Sequence, residues 1–476
     1  MFIEKNYLNG QWIETTDKLP VFNPATKEIL GYIPSGGDQE AKQAADAAYK
    51  AFRSWSKKTA EERSKFLYKW HFLIEENLDL LAQIMTKEQG KPLKEAKGEI
   101  RYANDFVSWY AEEAKRVYGE TIPASSNEKR IFVKKEPVGV VAAITPWNFP
   151  ASMITRKLAP ALAAGCTVVL KPSEETPYTA LKLVELAEQA GIPKGVLNLI
   201  TGDAAAIANA WQADTRVRKI TFTGSTPVGK LLMRGAADTM KKISLELGGH
   251  APFIVSSHAD IEKAVDGAIH SKFRNAGQTC VCTNRIYVQE TIAQEFIDQF
   301  TKKVSRLVIG NGLKEGVDIG PLINESAVKK VKAHIEDALR KGAQLAAGGK
   351  SIMEDKGYFM EPTVIVQATD DMICMNEETF GPLAPITTFK TIDEAIQRAN
   401  NSPYGLAAYV FTENISEAMH VADSLEYGIV GINDGAPSTA QAPFGGYKES
   451  GLGREGGHFG MDEYLEVKYI SLGSLN

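Results

Sequence analysis

Apolar positions along the chain change rhythm twice. Residues 38–117 read as helical: Asp38 can cap the Ala-rich stretch 39–54, and Phe66, Leu67, Trp70, Leu73, Ile74 and Leu81 recur at helical spacing within 60–87. From 138 to 247, short β-rich runs at 138–145, 166–170, 196–200, 217–222 and 242–247 alternate with helical segments at 152–164, 178–190, 204–212 and 227–239. Such alternation predicts βαβ units, hence a parallel sheet covered by helices. After Gly248-Gly249 a second alternation begins, with strands expected at 252–255, 285–288, 363–366, 385–389, 407–411 and 428–432. Two separate α/β domains are therefore expected, joined at the glycine pair. Segments 123–137 and 464–470 belong to neither, and neither is stable as an isolated strand. They are expected to pair with each other or to extend a neighbouring subunit's sheet edge.

Composition narrows the class of partner. A chain of 476 residues exceeds one ordinary core, which agrees with two or three structural units. Its 44% apolar and 24% charged residues are those of a globular protein. The formal charge of -5, with both signs interspersed, gives no reason to expect nucleic acid or an anionic membrane as partner. Four cysteines (Cys166, Cys280, Cys282 and Cys374) are too few for a disulfide framework and suit a reducing compartment. With no basic-then-apolar leader at the start and no apolar run of bilayer length, a cytoplasmic protein is expected. Seven histidines without metal-ligand spacing argue against a metal site.

The chemistry concentrates in a few loops. In Phe273-Arg-Asn-Ala-Gly-Gln-Thr-Cys280-Val-Cys282, one cysteine sits in a polar loop between a helical segment and a strand, with Arg274 just upstream. Cys280 reads there as an exposed, electrostatically assisted nucleophile. Glu246 lies inside the apolar run Ile243-Ser-Leu-Glu246-Leu-Gly-Gly249. Burial would raise its pKa toward a general base's range; the plain alternative is a strand-end glutamate turned to solvent. Asn148, in Thr145-Pro146-Trp147-Asn148-Phe149-Pro150, can cap a helix or donate to an oxyanion. Lys171-Pro-Ser173-Glu174 ends a strand at the edge where open α/β sheets bind ligands, and is either a ribose site or a solvated pair. The run Thr223-Gly224-Ser225-Thr226-Pro227-Val-Gly229-Lys230 is a strand-to-helix turn that can meet a pyrophosphate, with Thr226 as N-cap. It nearly matches a Walker A loop, but Leu231 replaces the magnesium-binding Ser/Thr, which argues against a nucleotide-triphosphate hydrolase.

Taken together and in order, these motifs resemble the NAD(P)-dependent aldehyde dehydrogenase superfamily over essentially the whole chain. Glu377-Glu-Thr-Phe-Gly-Pro382 and Pro443-Phe-Gly-Gly446 complete the set. The resemblance implies an aldehyde dehydrogenase-like α/β fold. It comprises a Rossmann-type cofactor domain (1–119 and 139–247), a second α/β catalytic domain (248–441) and a small β oligomerisation element (120–138 and 458–476). It also implies a homodimer or homotetramer. Cys280 would attack the aldehyde, and the Asn148 amide and Cys280 N–H would hold the oxyanion. After hydride transfer to the nicotinamide, Glu246 would activate water against the thioester, with Lys157 in proton relay. Thr145, Pro146, Trp147, Lys171, Ser173, Glu174, Gly224, Ser225, Gly229, Leu247, Glu378 and Phe380 would line the cofactor site. Glu174 would hold both adenosine-ribose hydroxyls and repel a 2′-phosphate, so NAD is expected over NADP, with no metal.

Within the superfamily, Met153-Ile-Thr-Arg156-Lys157, the Cys280 loop and Gly451-Leu-Gly-Arg-Glu455 look most like succinate-semialdehyde dehydrogenases. In that subgroup two arginines and a serine clamp a distal carboxylate; the matching residues are Arg156, Arg274 and Ser438. The alternative for both arginines is an internal ion pair. The stretch Pro437-Ser438-Thr-Ala-Gln441 departs from the subgroup, and glutarate semialdehyde, one methylene longer, is the competing substrate. Cys282 is a candidate redox partner for Cys280; its alternative is plain packing. A catalytically dead relative would have lost Cys280, Glu246 or Asn148, and all three are present.

Overall fold

Two α/β sheets carry the molecule, described here for residues 2–352 and 357–474 of a computed structural model. The first sheet has eight strands in the order Gln11–Ile13, Asn6–Leu8, Leu197–Leu199, Thr167–Lys171, Val140–Ile144, Val217–Thr223, Lys242–Glu246 and Gly451–Leu452. The five from Leu197–Leu199 to Lys242–Glu246 are parallel. The central pair, Val140–Ile144 and Thr167–Lys171, is buried on both faces because helices such as Ser152–Ala164 and Pro177–Gln189 return over it. The register pairs Ile144 with Lys171 and with Phe222, and Thr223 with Glu246. Thr145, Lys171, Thr223 and Glu246 thus share one carboxyl edge.

The second sheet runs Gln344–Ala347, Thr363–Val366, Leu383–Phe389, Thr283–Gln289, Ala251–Val255, Ala407–Phe411 and Ile429–Ile432, parallel except for its first strand. Every βαβ element expected from the alternation is present within a few residues. The long helical region resolves into Asp38–Trp55, Ala60–Glu76, Leu78–Gln89 and Leu93–Glu113.

Two expected caps are corrected. Gly37, not Asp38, is the N-cap of the first helix, because the Glu40 carboxylate accepts the Gly37 N–H (2.8 Å). Ser225, not Thr226, caps helix Thr226–Ala237; the Thr226 hydroxyl instead accepts from the Gly248 N–H (3.3 Å) and donates to the Glu449 carbonyl (3.2 Å).

Of the two fates expected for the tail, pairing with the earlier segment holds. Leu465–Leu472 runs antiparallel to Arg130–Pro137 over eight residues, with Glu120–Ile122 on that strand's other side. Residues 475–476 of the expected oligomerisation element lie outside the described residues. No helix among the described residues is long and apolar enough to cross a membrane.

Candidate active site

The Cys280 loop is held in an improbable backbone path by side chains from distant elements. Asn275, Ala276 and Gly277 are all left-handed, with φ of 53°, 54° and 76°. Such φ values cost little at Asn or Gly but oppose an L-alanine. Four groups hold Asn275 in place. Its N–H donates to Glu95 (2.8 Å), its amide donates to the Asn148 and Gln278 carbonyls (2.9 and 3.2 Å), and its Oδ1 accepts from Gln89 (2.9 Å). Gln278 in turn bridges the Asn275 carbonyl (3.1 Å) and the Ile323 N–H (2.9 Å). At Gly277 a Cβ would lie 2.2 Å from the Gly381 carbonyl oxygen, so only glycine fits. The strain is overdetermined by these contacts, which fixes Cys280 before any ligand arrives.

Cys280 lies half-buried in the wall of a cavity of about 530 Å³, whose lining includes Arg156, Arg274, Phe149, Ser438 and Phe444. The expected electrostatic assistance does not prevail at rest. Burial pushes the thiol up to about 12; Arg156 and Arg274 pull it down, while Glu378 and Glu246 push with burial. Glu246, the last residue of its strand, is buried rather than turned to solvent. Burial, then the nearby Glu455 charge, hold its carboxyl well above the usual range, and its Oε2 has no hydrogen-bond partner. Asn148 Nδ2 donates to the Gln278 carbonyl (3.1 Å). That carbonyl can only accept, which fixes the amide's orientation and leaves its second hydrogen for another acceptor.

Arg156 and Lys157, adjacent on helix Ser152–Ala164, share one acid. The Glu455 carboxylate is 2.7 Å from Arg156 and also binds Lys157, whose ammonium donates to Thr223 (2.5 Å). Burial works against charge on Glu455, but Lys157 and Arg156 hold its carboxyl below the usual range. The internal-pair alternative is therefore realised for Arg156, although its guanidinium also stacks on Phe444 at 3.9 Å and lines the cavity. Arg274 differs: it lies over the Phe149 ring at 5.4 Å, and among the described residues it has no acid at ion-pair distance. Ser438 lies on the same cavity wall.

The remaining predicted residues gather at the carboxyl edge of the first sheet and beside Glu246. Lys171 is buried and pairs with the half-exposed Glu174 (2.5 Å); Ser173 precedes it and accepts the Glu175 N–H (3.2 Å). The Thr145 hydroxyl is buried with no partner, followed by half-buried Pro146 and by Trp147, which meets Phe380 edge-on at 5.5 Å. Gly224 donates its N–H to the Glu246 carbonyl (3.0 Å), and Ser225 opens helix Thr226–Ala237. A Cβ on Gly229 would strike Leu247 at 2.4 Å, so this glycine lets the helix start close onto that leucine. Glu378 accepts the Gly249 N–H (2.9 Å), and burial pushes its carboxyl up to about 7. A buried orphan hydroxyl, a lysine–carboxylate pair and a helix N-terminus on one edge suit a ligand bearing ribose hydroxyls and a pyrophosphate.

Cys282 is fully buried, its thiol donating to the Lys272 carbonyl (3.4 Å) while the Lys272 ammonium stands 3.3 Å from the sulfur. A bond to Cys280 would require leaving this anchor.

Residues 12–470 match the model of the Aldehyde dehydrogenase family. The chain belongs to the aldehyde dehydrogenase family. It is 55% identical to the succinate semialdehyde dehydrogenase of Acinetobacter baylyi, over 100% of this chain and 99% of that protein. It is 53% identical to the glutarate-semialdehyde dehydrogenase of Pseudomonas putida, over 99% and 98% respectively. Among solved structures, an NADP-dependent enzyme of Escherichia coli superposes with a TM-score of 0.98 at 52% identity, covering 99% of this chain and 98% of the other. This aldehyde dehydrogenase is accordingly an NAD(P)-dependent oxidoreductase acting on an aldehyde.

Three positioning groups of this aldehyde dehydrogenase escaped the sequence reading. Lys91 donates to the Asn148 carbonyl (2.9 Å), pairs with Glu99 and stands 3.9 Å over the Phe149 ring. Glu99 accepts the Ala151 and Ser152 N–H groups (2.9 and 3.3 Å), capping helix Ser152–Ala164 from outside. Asn275 completes the set. Lys91, in the Gly-Lys-Pro break between two helices, and Glu99, inside a helix, carry no local signal of burial. Asn275 carried one: an amide before Ala-Gly in a loop is a natural left-handed residue.

Proposed function

We propose that this aldehyde dehydrogenase oxidises succinate semialdehyde to succinate, with NAD in preference to NADP. One observation carries the substrate class: a half-buried arginine, Arg274, lines the cavity beside Cys280 with no acid of its own among the described residues. A substrate's distal carboxylate would complete the pair, and Arg156 and Ser438 would add donors. The names of the relatives support this reading. Glutarate semialdehyde is the second reading, favoured by the Pseudomonas putida relative.

In the mechanism that follows, Cys280 loses its proton and its sulfur bonds to the aldehyde carbon, giving a thiohemiacetal. The free hydrogen of the Asn148 amide and the Cys280 N–H hold the oxyanion. The nicotinamide dinucleotide, when bound, supplies the hydride acceptor. Glu246 then takes a proton from the water that attacks the thioester, and Lys157 with Glu455 carries that proton away. Thr145, Pro146, Trp147, Lys171, Ser173, Glu174, Gly224, Ser225, Gly229, Leu247, Glu378 and Phe380 hold the dinucleotide. Residues 1–119 and 139–247 form the cofactor domain, 248–441 the catalytic domain, and 120–138 with 458–476 the oligomerisation element of a homodimer or homotetramer. Four cysteines without disulfides, one of them the nucleophile, fit work in the cytoplasm.

The test compares kcat/KM for succinate semialdehyde, glutarate semialdehyde and uncharged butanal under NAD. Preference for the shorter semialdehyde is expected; equal turnover of butanal would overturn the substrate assignment. For the cofactor, Glu174→Ser is expected to raise kcat/KM with NADP relative to NAD, since the carboxylate facing the ribose is removed. An unchanged ratio would mean that Glu174 does not set the cofactor choice.

A further inference from the structure

The cavity wall contains a polar group for which the mechanism above has no use. Tyr102 lies on helix Leu93–Glu113, its ring edge-on to Phe106 at 5.0 Å, and it lines the same cavity as Cys280, Arg156 and Arg274. Its hydroxyl is buried and has no hydrogen-bond partner. The two carboxylates that this helix turns to the cavity are engaged: Glu95 accepts the Asn275 N–H, and Glu99 binds Lys91 and two backbone N–H groups, while Lys94 lies exposed at the rim. A buried hydroxyl left unpaired is destabilising, and a site that keeps one is a place where a ligand supplies the partner. Burial raises the phenol's pKa; Arg156 and Arg274 lower it, and Glu455 and Cys280 act with burial. It therefore stays a protonated donor, and Arg274, which has no acid at ion-pair distance among the described residues, lines the same cavity and draws an anionic acceptor to it.

We propose that the Tyr102 hydroxyl donates a hydrogen bond to the distal carboxylate of the substrate, beside Arg274. This rests on the carboxylated-semialdehyde reading above and adds a specificity-determining residue to it. Two other cavity-lining hydroxyls, on Ser152 and Thr279, are also unpartnered. Thr279 adjoins the nucleophile, at the aldehyde end of the substrate. Ser152 opens the helix that carries Arg156 and serves as the control.

Tyr102→Phe removes one oxygen and leaves the ring. Initial rates with succinate semialdehyde and with butanal, under saturating NAD, are measured for the wild type, Tyr102→Phe and Ser152→Ala, together with thermal unfolding midpoints. A hydrogen bond to a charged group corresponds to about tenfold or more in affinity. The expected result is a fall of that size in kcat/KM for succinate semialdehyde in Tyr102→Phe, carried by KM. Butanal turnover should be unchanged and the midpoint equal or higher. Equal losses on both substrates, no loss on either, or a selective loss in Ser152→Ala alone would overturn the proposal. A wild type that does not distinguish the two aldehydes would overturn the substrate reading itself. A discriminating wild type with an equally discriminating Tyr102→Phe would overturn only the role of the hydroxyl.

Discussion

A thiol pushed up to about 12 rests protonated near neutral pH, and burial beside Glu455 holds the Glu246 carboxyl well above its ordinary range. Raising the pH populates the forms that attack carbon and accept a proton from water, so kcat/KM is expected to rise from pH 6 through pH 9 without a neutral plateau. Initial rates across that range check this, and a profile falling above pH 7 would contradict it. For Glu246→Gln, the expected outcome is a steady-state rate lower by about 10²–10⁴-fold with the first turnover of reduced cofactor preserved. Rapid mixing distinguishes this from loss of the burst, which would place Glu246 before hydride transfer. At this scale the sequence was informative about identity and poor about electrostatics. Gly277-Gln-Thr-Cys280 and the acid in Leu245-Glu246-Leu247 pointed to two groups whose charges bear on each other in the fold, but Arg274's proximity in sequence said nothing of burial, which outweighs it.

Helix Leu93–Glu113 and the turn before it brace the Asn148 turn and the start of helix Ser152–Ala164. Lys91 and Glu99 are fully buried, so Lys91→Met leaves a lone acid in a low-dielectric setting and is expected to cost about 3–5 kcal/mol. Urea denaturation measures this; a loss under about 1 kcal/mol would mean the pair is not buried in solution. Lys91→Met combined with Glu99→Gln is expected to recover part of the stability. Its kcat should remain low, because the Asn148 carbonyl still lacks its donor. Periodicity placed this helix only within the helical region 38–117, where the stretches 39–54 and 60–87 were told apart and the later boundaries were not. The breaks at Asn77 and at Gly90-Lys91-Pro92 are too short to disturb an apolar pattern. The caps went astray for a related reason: Gly37 and Ser225 win their positions through what Glu40 and Thr226 do elsewhere.

Across the whole molecule, the strand Leu465–Leu472 leaves Val467, Tyr469 and Leu472 exposed, next to an exposed Phe132. If this small sheet joins subunits, Val467→Lys with Tyr469→Lys is expected to lower the oligomeric state seen by analytical ultracentrifugation without changing the first sheet. An unchanged mass would move the interface elsewhere. The two large sheets were legible because their strands are apolar on both faces and separated by helices of regular period. The outer strands of the first sheet were not: Asn6–Leu8, Gln11–Ile13 and Gly451–Leu452 are two or three residues long and carry no alternation.

That last strand has a bearing on how the protein is made. Gly451 and Leu452 pair with Glu246 and Leu245, closing the edge of the first sheet from the far end of the chain. On a ribosome, the strand bearing Glu246 would therefore wait for some two hundred further residues with one flank unpaired, a flank open to misassociation during synthesis. A stop codon upstream of residue 451 would release a chain whose first sheet stays unfinished, and such fragments should depend on chaperones far more than their length alone implies.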